Sequence, residues 1–448
     1  MTISAAEQLL IELINRARLD PAGEAARQGI GLNDGLAPGT IAAAARPVLA
    51  GNAQLAAAAE GHSRWMLETG VFSHTGAGGS TPAQRIAAAG YPLGGSWTTG
   101  ENISWIGTTG VLDLAAAIVQ QHASLFRSPG HRENLLAPAF AEIGVAQVAG
   151  EFTSGGITFN ASMLTEKFAR SGPAVFVTGV AFGDADGDRF YDIGEGLAGV
   201  RIAAAGAAAE TAAAGGYALA LAPAATARVE VTLGDRTQAV TLDLSAGNVK
   251  LDLLADRTLM LSGDATLGGG ARDAVLLWVA DLGLVGNRAG NLLDGNAGDN
   301  RLVGQGGADR IAGGAGADTL AGGGGRDRLD GGAGDDILLG GAGADAIAGG
   351  AGDDRLTGGA GADTFVFRPG GGHDVVTDLD IAAGDRIALA PGLHGGAAAA
   401  ALVAAAARIE GAAVVLDFGG DGLIRLDGLA PPGGIAALDG LAEALILL

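Results

Sequence analysis

Over residues 286–366 a large apolar residue returns every nine positions, as Leu293, Leu302, Ile311, Leu320, Leu329, Leu338, Ile347, Leu356 and Phe365. Two positions before each stands an amide or a carboxylate: Asn291, Asn300, Asp309, Asp318, Asp327, Asp336, Asp345, Asp354 and Asp363. The unit is G-G-x-G-x-D-x-U-x, with U the apolar residue, and residues 331–339 are its best copy. Glycine admits positive φ and lets backbone carbonyls turn toward one point. The x-U-x half is a very short strand whose central side chain points to one side. Two units therefore make one coil of a parallel β-roll, with the apolar residues stacked in a narrow core. Carboxylates and glycine-loop carbonyls then face each other between coils and form an all-oxygen cage for a hard cation, Ca2+. A Gly-rich linker needs no such fixed apolar position. The first two units carry Asn and depart from the pattern at Asn287, Arg288, Ala289 and Asn296. Weak or absent ion sites are expected there, as in capping repeats.

Elsewhere the period changes. Ser4-x-x-Glu7 is a capping-box pattern ahead of Leu9, Leu10, Leu13, Ile14 and Ala17 at helical spacing, and Pro21 ends the run. A second amphipathic helix is expected over residues 52–68 and a third over 112–127. Loops rich in Gly, Ser and Thr are expected between them. Residues 142–148 and 158–164 read as strands. Helices flanking a small antiparallel sheet are thus expected for residues 1–170.

Ser171-Gly172-Pro173 marks a boundary. A strand at 174–181 then runs into a twelve-residue loop with the ligand pattern of a calcium site. Asp184, Asp186, Asp188, Asp192 and Glu195 hold positions 1, 3, 5, 9 and 12, and the Phe190 carbonyl stands at position 7. Arg189 takes position 6, where glycine is usual, with Gly187 close before it. Five clustered carboxylates repel strongly without a cation. An EF-hand needs helices on both sides, whereas 199–203, 217–221 and 227–233 are strand-like. A small β-sandwich with a calcium loop is expected over 174–256, followed by a connector, 257–285. Residues 367–448 read as a β-rich C-terminal cap, ending in an apolar stretch, 438–448.

The chain's 448 residues predict two to four domains. Its net charge of −22 makes it a poor partner for nucleic acid or an anionic membrane. There is no cysteine, and calcium can replace the disulfide staple, so the compartment stays open. The N-terminus lacks the basic and apolar regions of a signal peptide. No uncharged apolar run reaches the roughly 20 residues of a membrane helix. No nucleic-acid partner and no transmembrane segment are expected.

Three short motifs remain: Phe72-Ser73-His74, Gly100-Glu101-Asn102-Ile103 and the stretch Ser128-Pro129-Gly130-His131-Arg132-Glu133-Asn134-Leu135-Leu136. With residues 13–18 ahead and 143–146 behind, their order resembles the CAP superfamily of pathogenesis-related 1, venom allergen 5 and SCP-like proteins. That resemblance implies an α/β/α sandwich over 1–170 with a surface cleft. His74 and His131 match its two histidines and Glu101 its acid, a candidate site for Zn2+ and for catalysis. Fuller versions of the cleft carry a second acid on the preceding helix, whereas residues 114–130 contain none. His62 is expected to be a satisfied core residue. Ser128 is not expected to pair with His131, because neighbours in sequence rarely have the geometry.

The loop at 184–195 and its β-like flanks resemble the SdrD B-like domain of bacterial surface proteins. The nonapeptide block resembles the RTX, or haemolysin-type, repeats of secreted bacterial proteins. That resemblance implies calcium at Asp309, Asp318, Asp327, Asp336, Asp345, Asp354 and Asp363. It also implies type I secretion through an uncleaved C-terminal signal, from a bacterium of Gram-negative type. The multidomain chain is then expected to be a secreted protein that calcium folds outside the cell. Its CAP cleft would bind an extracellular lipid, glycan or protein. The alternatives are a metal-dependent hydrolase or peptidase using His74, Glu101 and His131, and a structural matrix or adhesion protein.

Overall fold

The computed structural model describes residues 3–429 and 439–448. Met1, Thr2 and Leu438, the first residue of the apolar end, lie outside the described residues. The chain divides into two compact units, Met1–Ser262 and Gly263–Leu448. Among the described residues no helix is long and apolar enough to cross a membrane.

The first unit begins with helix α1 (Ala5–Leu19), whose capping box is complete: Ser4 accepts from Glu7 N, and the Glu7 carboxylate accepts from Ser4 N. Pro21 does end α1, and it opens α2 (Pro21–Arg27) with Asp20 as N-cap. The expected long helices are α3 (Ala53–Thr69) and α5 (Leu114–Arg127). Between them the chain forms α4 (Pro82–Ala88) and a twelve-residue strand, β2 (Trp97–Thr108), where loops were expected. The sequence hides that strand because polar Glu101 and Asn102 are buried beside Ile103 on its two faces. It is fixed by full antiparallel pairing with β4 (Ile157–Ser171). With β1 (Ala50–Gly51) and β3 (Glu142–Ser154) the sheet order is β1-β3-β4-β2. Short α6 (Pro129–Leu135) follows α5 directly.

Strand alternation divides the core. Leu164 and Phe168 of β4 pack with Leu10, Ile14, Ile118 and Phe126 of α1 and α5. Met163 and Ala169 of the same strand pack with Met66 and Leu55 of α3. Helices thus cover both faces of the sheet, the CAP-like arrangement. Gly144 of β3 permits this, because a Cβ there would collide with Leu55 and the Ala56 nitrogen of α3.

Eight strands complete the unit. β5 (Val175–Phe182), β8 (Gly216–Leu221), β11 (Val249–Leu254) and β12 (Leu259–Leu261) pair together. β6 (Arg201–Ala204), β7 (Ala207–Glu210), β9 (Thr226–Leu233) and β10 (Arg236–Asp243) form a second antiparallel set. They dock on the helical part through buried polar groups. Asn248 donates to Val48 O (2.9 Å) and Ala141 O (2.8 Å), and Lys250 reaches Glu12 of α1 at 2.7 Å.

In the second unit each coil adds eighteen residues, as two nonapeptides predict. Leu293, Ile311, Leu329, Ile347 and Phe365 align on one sheet, and Leu284, Leu302, Leu320, Leu338 and Leu356 on the other. All are essentially buried. This is a parallel β-roll. It begins earlier than the glycine pattern: Ala274 already partners Leu293 within the expected connector, at a nineteen-residue step that breaks the period. Beyond the repeats, the strand Arg386–Leu389 extends one sheet and pairs in parallel with Leu445–Leu447, within the apolar end.

Candidate functional site

The three CAP-like motifs converge at one end of β2. His74, half exposed, meets Glu101 Oε1 through Nδ1 at 2.8 Å. Glu101 is buried, and its Oε2 is held by Arg85 (2.7 Å) and by the buried Lys167. Burial alone would raise the Glu101 pKa, but the His74 hydrogen bond, then Lys167 and Arg85, bring it down to about 2. Asn102 donates to Glu166 (2.9 Å) and to His131 O (3.3 Å), while Asn134 donates to Asn102 Oδ1 (2.9 Å). The two asparagines thus tie α6 to β2. Gly100 is required because a Cβ there would lie 2.6 Å from the Phe140 ring.

His131 faces the same cleft, and its pKa is lowered by burial and then by His74. Contrary to expectation, Ser128 Oγ does meet His131 Nδ1, at 2.7 Å. Ser128 is the N-cap of α6 and His131 its third residue, and the contact joins their side chains without capping a helix N–H. His62 is buried as expected, with Nε2 2.9 Å from Ser73 O, yet Nδ1 has no partner and Nε2 lies 3.9 Å from Glu101. Burial lowers its pKa to about 4, so it stays neutral.

This geometry leaves Glu101 little freedom to take up a metal. Both Glu101 oxygens are occupied, and a carboxylate held near 2 is a weak base. Among the described residues, one group of three acidic or imidazole side chains comes within reach of a common ion, and it is Asp184, Asp186 and Asp188. The expected zinc set of His74, Glu101 and His131 is not brought together in that way. Arg85 and Lys167 have no motif of their own and escaped the sequence reading. So did the buried His122–Glu24 pair (3.2 Å), which supplies α5 with an acid from α2.

In the loop after β5, Asp184 accepts from Gly187 N and Arg189 N, and Glu195 accepts from Ala185 N and Asp192 N. Arg189 sits at φ 59° in the glycine region, so position 6 turns as the motif requires despite its side chain. Burial raises the Asp192 pKa, and Glu195, Asp188 and Asp186 add to this. Phe190 lies under the Arg16 guanidinium of α1, 4.9 Å from its ring centroid.

The roll's carboxylates form a ladder. Oδ1 of each repeat Asp accepts from the backbone N of the residue eighteen positions earlier, from Asn291 to Asp309 (2.7 Å) through Asp345 to Asp363 (2.9 Å). Oδ2 of all seven, Asp309, Asp318, Asp327, Asp336, Asp345, Asp354 and Asp363, is buried without a partner. Each faces the glycine five positions earlier, and at Gly304, Gly313, Gly322, Gly331 and Gly340 a carbonyl of the next coil stands beside it: a Cβ at Gly322 would lie 2.5 Å from Asp327 Oδ2 and 2.7 Å from Gly340 O. Buried, unpaired oxygens beside carbonyls in a side-chain-free cradle fit Ca2+. Burial raises Asp318 to about 6, Asp336 to about 7 and Asp354 to about 6. Asp374 and Asp385 continue the ladder and were missed, because their steps are twenty and twenty-two residues. At the other end, Asn291 donates to Arg272 O (2.9 Å), and Asn296 to Leu277 O (3.1 Å) and Ala280 O (3.0 Å). Amides there satisfy the carbonyls themselves.

Residues 11–159 match the cysteine-rich secretory protein (CAP) family. Residues 285–320, 313–347, 330–365 and 339–376 match the RTX calcium-binding nonapeptide repeat. The chain contains a CAP domain and RTX calcium-binding repeats, and the repeats imply Ca2+ as their ion. No curated protein matches it. Three solved structures are similar over part of its length. The first is an extracellular protein containing a SCP domain from Bacillus anthracis, with 26% identity over 28% of this chain and 35% of that one (TM-score 0.21). The second is an outer surface protein from Borrelia burgdorferi, with 20% identity over 28% and 78% (TM-score 0.20). The third is the extracellular lipase LipA from Serratia marcescens, with 17% identity over 39% and 45% (TM-score 0.20). The chain spans about a third of the length of the first.

Proposed function

We propose that this is a secreted protein whose roll folds when calcium neutralises its aspartate ladder, and whose CAP cleft binds an extracellular lipid, glycan or protein. The observation that carries the calcium part is the row of seven buried, unpartnered Oδ2 atoms. Extracellular calcium modules bind with Kd of about 10⁻⁴ to 10⁻³ M, far above cytosolic levels. The ladder would therefore stay unfolded inside the cell, where like charges and ordered glycine oppose it. Outside, binding to the folded state alone draws the chain into the roll. The apolar end fits export by type I machinery. Residues 174–256 are proposed as a small SdrD B-like β-sandwich with a second kind of calcium site, held by Asp184, Asp186, Asp188, Asp192, Glu195 and the Phe190 carbonyl.

Binding is favoured over hydrolysis in the cleft because Glu101 is fully engaged by His74, Arg85 and Lys167. The test is calcium titration of the full chain, followed by far-UV circular dichroism. A cooperative gain of β signal near millimolar calcium is expected. A roll equally folded in chelator refutes calcium gating.

A further inference from the structure

One face of the roll is hollowed across the strands Leu292–Asp294, Arg310–Ala315, Arg328–Ala333, Ala346–Ala351 and Thr364–Phe367. The hollow has a volume of about 390 Å³. A second one, of about 250 Å³, shares Asp330, Val366 and Arg368 with it and prolongs it. At the spacing of neighbouring strands, five strands extend about 19 Å. The walls are Arg310, Arg326, Arg328 and Arg368, all exposed, over a floor that includes Ala346 and Ala348.

Folding gives no reason for this gathering of arginines. Arg310 and Arg328 are direct partners in the ladder, an arrangement that repels. They stand in a chain of net charge −22. Asp294, Asp327 and Asp330 border the same hollow. Asp327 is a rung of the calcium ladder, so in the calcium-loaded roll its charge is offset and the arginines prevail. Guanidinium forks favour the planar, bidentate partner that a carboxylate offers.

We propose that this hollow binds an extended carboxylate-bearing polymer, an acidic polysaccharide, across successive coils. This rests on the reading of the roll as a calcium-folded extracellular module. No aromatic ring lines the larger hollow, and Phe367, which borders the smaller one, is buried, so stacked bases find no exposed platform. Duplex nucleic acid carries about one charge per 1.7 Å, denser than one carboxylate per sugar ring, so the chain's net charge of −22 opposes it more strongly. A sugar acid places one carboxylate per ring, a repeat comparable to the spacing of successive coils.

The test is calorimetric titration of the full chain in calcium with a hexameric oligogalacturonate. Neutral dextran oligosaccharide and inositol hexakisphosphate are run beside it. Arg310→Ala/Arg328→Ala should weaken oligogalacturonate binding on the order of tenfold or more. Arg310→Lys/Arg328→Lys should retain part of it. Arg301→Ala/Arg355→Ala removes two exposed charges from the roll's other sheet and should leave binding unchanged. Equal loss in that control pair, equal binding of dextran, or binding of the inositol phosphate alone overturns the proposal. So does a folded wild-type chain that does not bind. Circular dichroism of each sample separates this from a failure of calcium folding, which would appear as a lost β signal.

Discussion

The substitution Asp336→Asn removes one charge from the middle of the ladder while keeping the side chain's shape. Without calcium, ionised Asp336 is a burden: its pKa rises from 3.8 to about 7, first through burial and then through Asp354 and Asp318. At pH 8 that difference corresponds to at most about 4 kcal/mol against the folded roll, and nearby solvent reduces it to about 2. Asparagine lifts this burden, and the chain already places Asn300 at the same register two coils earlier. With calcium the sign reverses. One site filled at ten times its Kd contributes about 1.4 kcal/mol, and a neutral amide forfeits most of it. Calcium titration of the full chain at pH 8, followed by circular dichroism, should show the mutant with more residual β signal in chelator and a smaller gain on added calcium. Equal destabilisation in both conditions would refute a ladder held apart by its own charge. An unchanged calcium increment would refute Asp336 as a ligand.

The same shifts make the calcium-free roll sensitive to pH. Asp318, Asp336 and Asp354 are raised to about 6, 7 and 6, so their stability contribution is present below pH 4 and lost as pH rises through 6 to 7. The residual β signal in chelator should therefore be larger at pH 5 than at pH 8. Calcium binding at pH 7 should release protons, measurable by calorimetry in two buffers of different ionisation heat. Glu101→Gln leaves the buried Lys167 without its carboxylate and should lower CAP-domain stability by about 3 kcal/mol in thermal melts. In the wild type that contribution is present above pH 4.5 and fades as pH falls toward 2. Gly144→Ala forces α3 off the sheet and should destabilise by about 2 kcal/mol or more; a loss under about half that in a denaturant titration would mean that the helix shifts freely.

The roll was readable because one short rule is repeated until chance is excluded, and the coil register follows from its arithmetic. Where the arithmetic slips, the reading fails: Ala274, Asp374 and Asp385 belong to the ladder but stand off the nine-residue grid. In the CAP domain the motifs located His74, Glu101 and His131, since each is tied to local glycine, asparagine or proline geometry. Their chemistry depends on Arg85 and Lys167, which arrive from α4 and β4 and leave no local trace. Strand β2 was illegible for a related reason. Its buried Glu101 and Asn102, on opposite faces, look like a loop until Lys167 satisfies the first and Glu166 and Asn134 the second.

The parallel ladder also has an end, and that end bears on whether the protein stays single. A stack of identical rungs presents open backbone at its last strand, and another roll in the same register could continue it. Here the rung Arg386–Leu389 is covered by Leu445–Leu447, three residues that follow a short helix, Asp439–Ala444. On the other sheet the antiparallel hairpin of Ala407–Glu410 and Ala413–Asp417 breaks the parallel repeat. Among the described residues, neither of these edges carries the nonapeptide pattern. A second roll meeting these strands would find a spacing other than its own, which disfavours continuation of the stack.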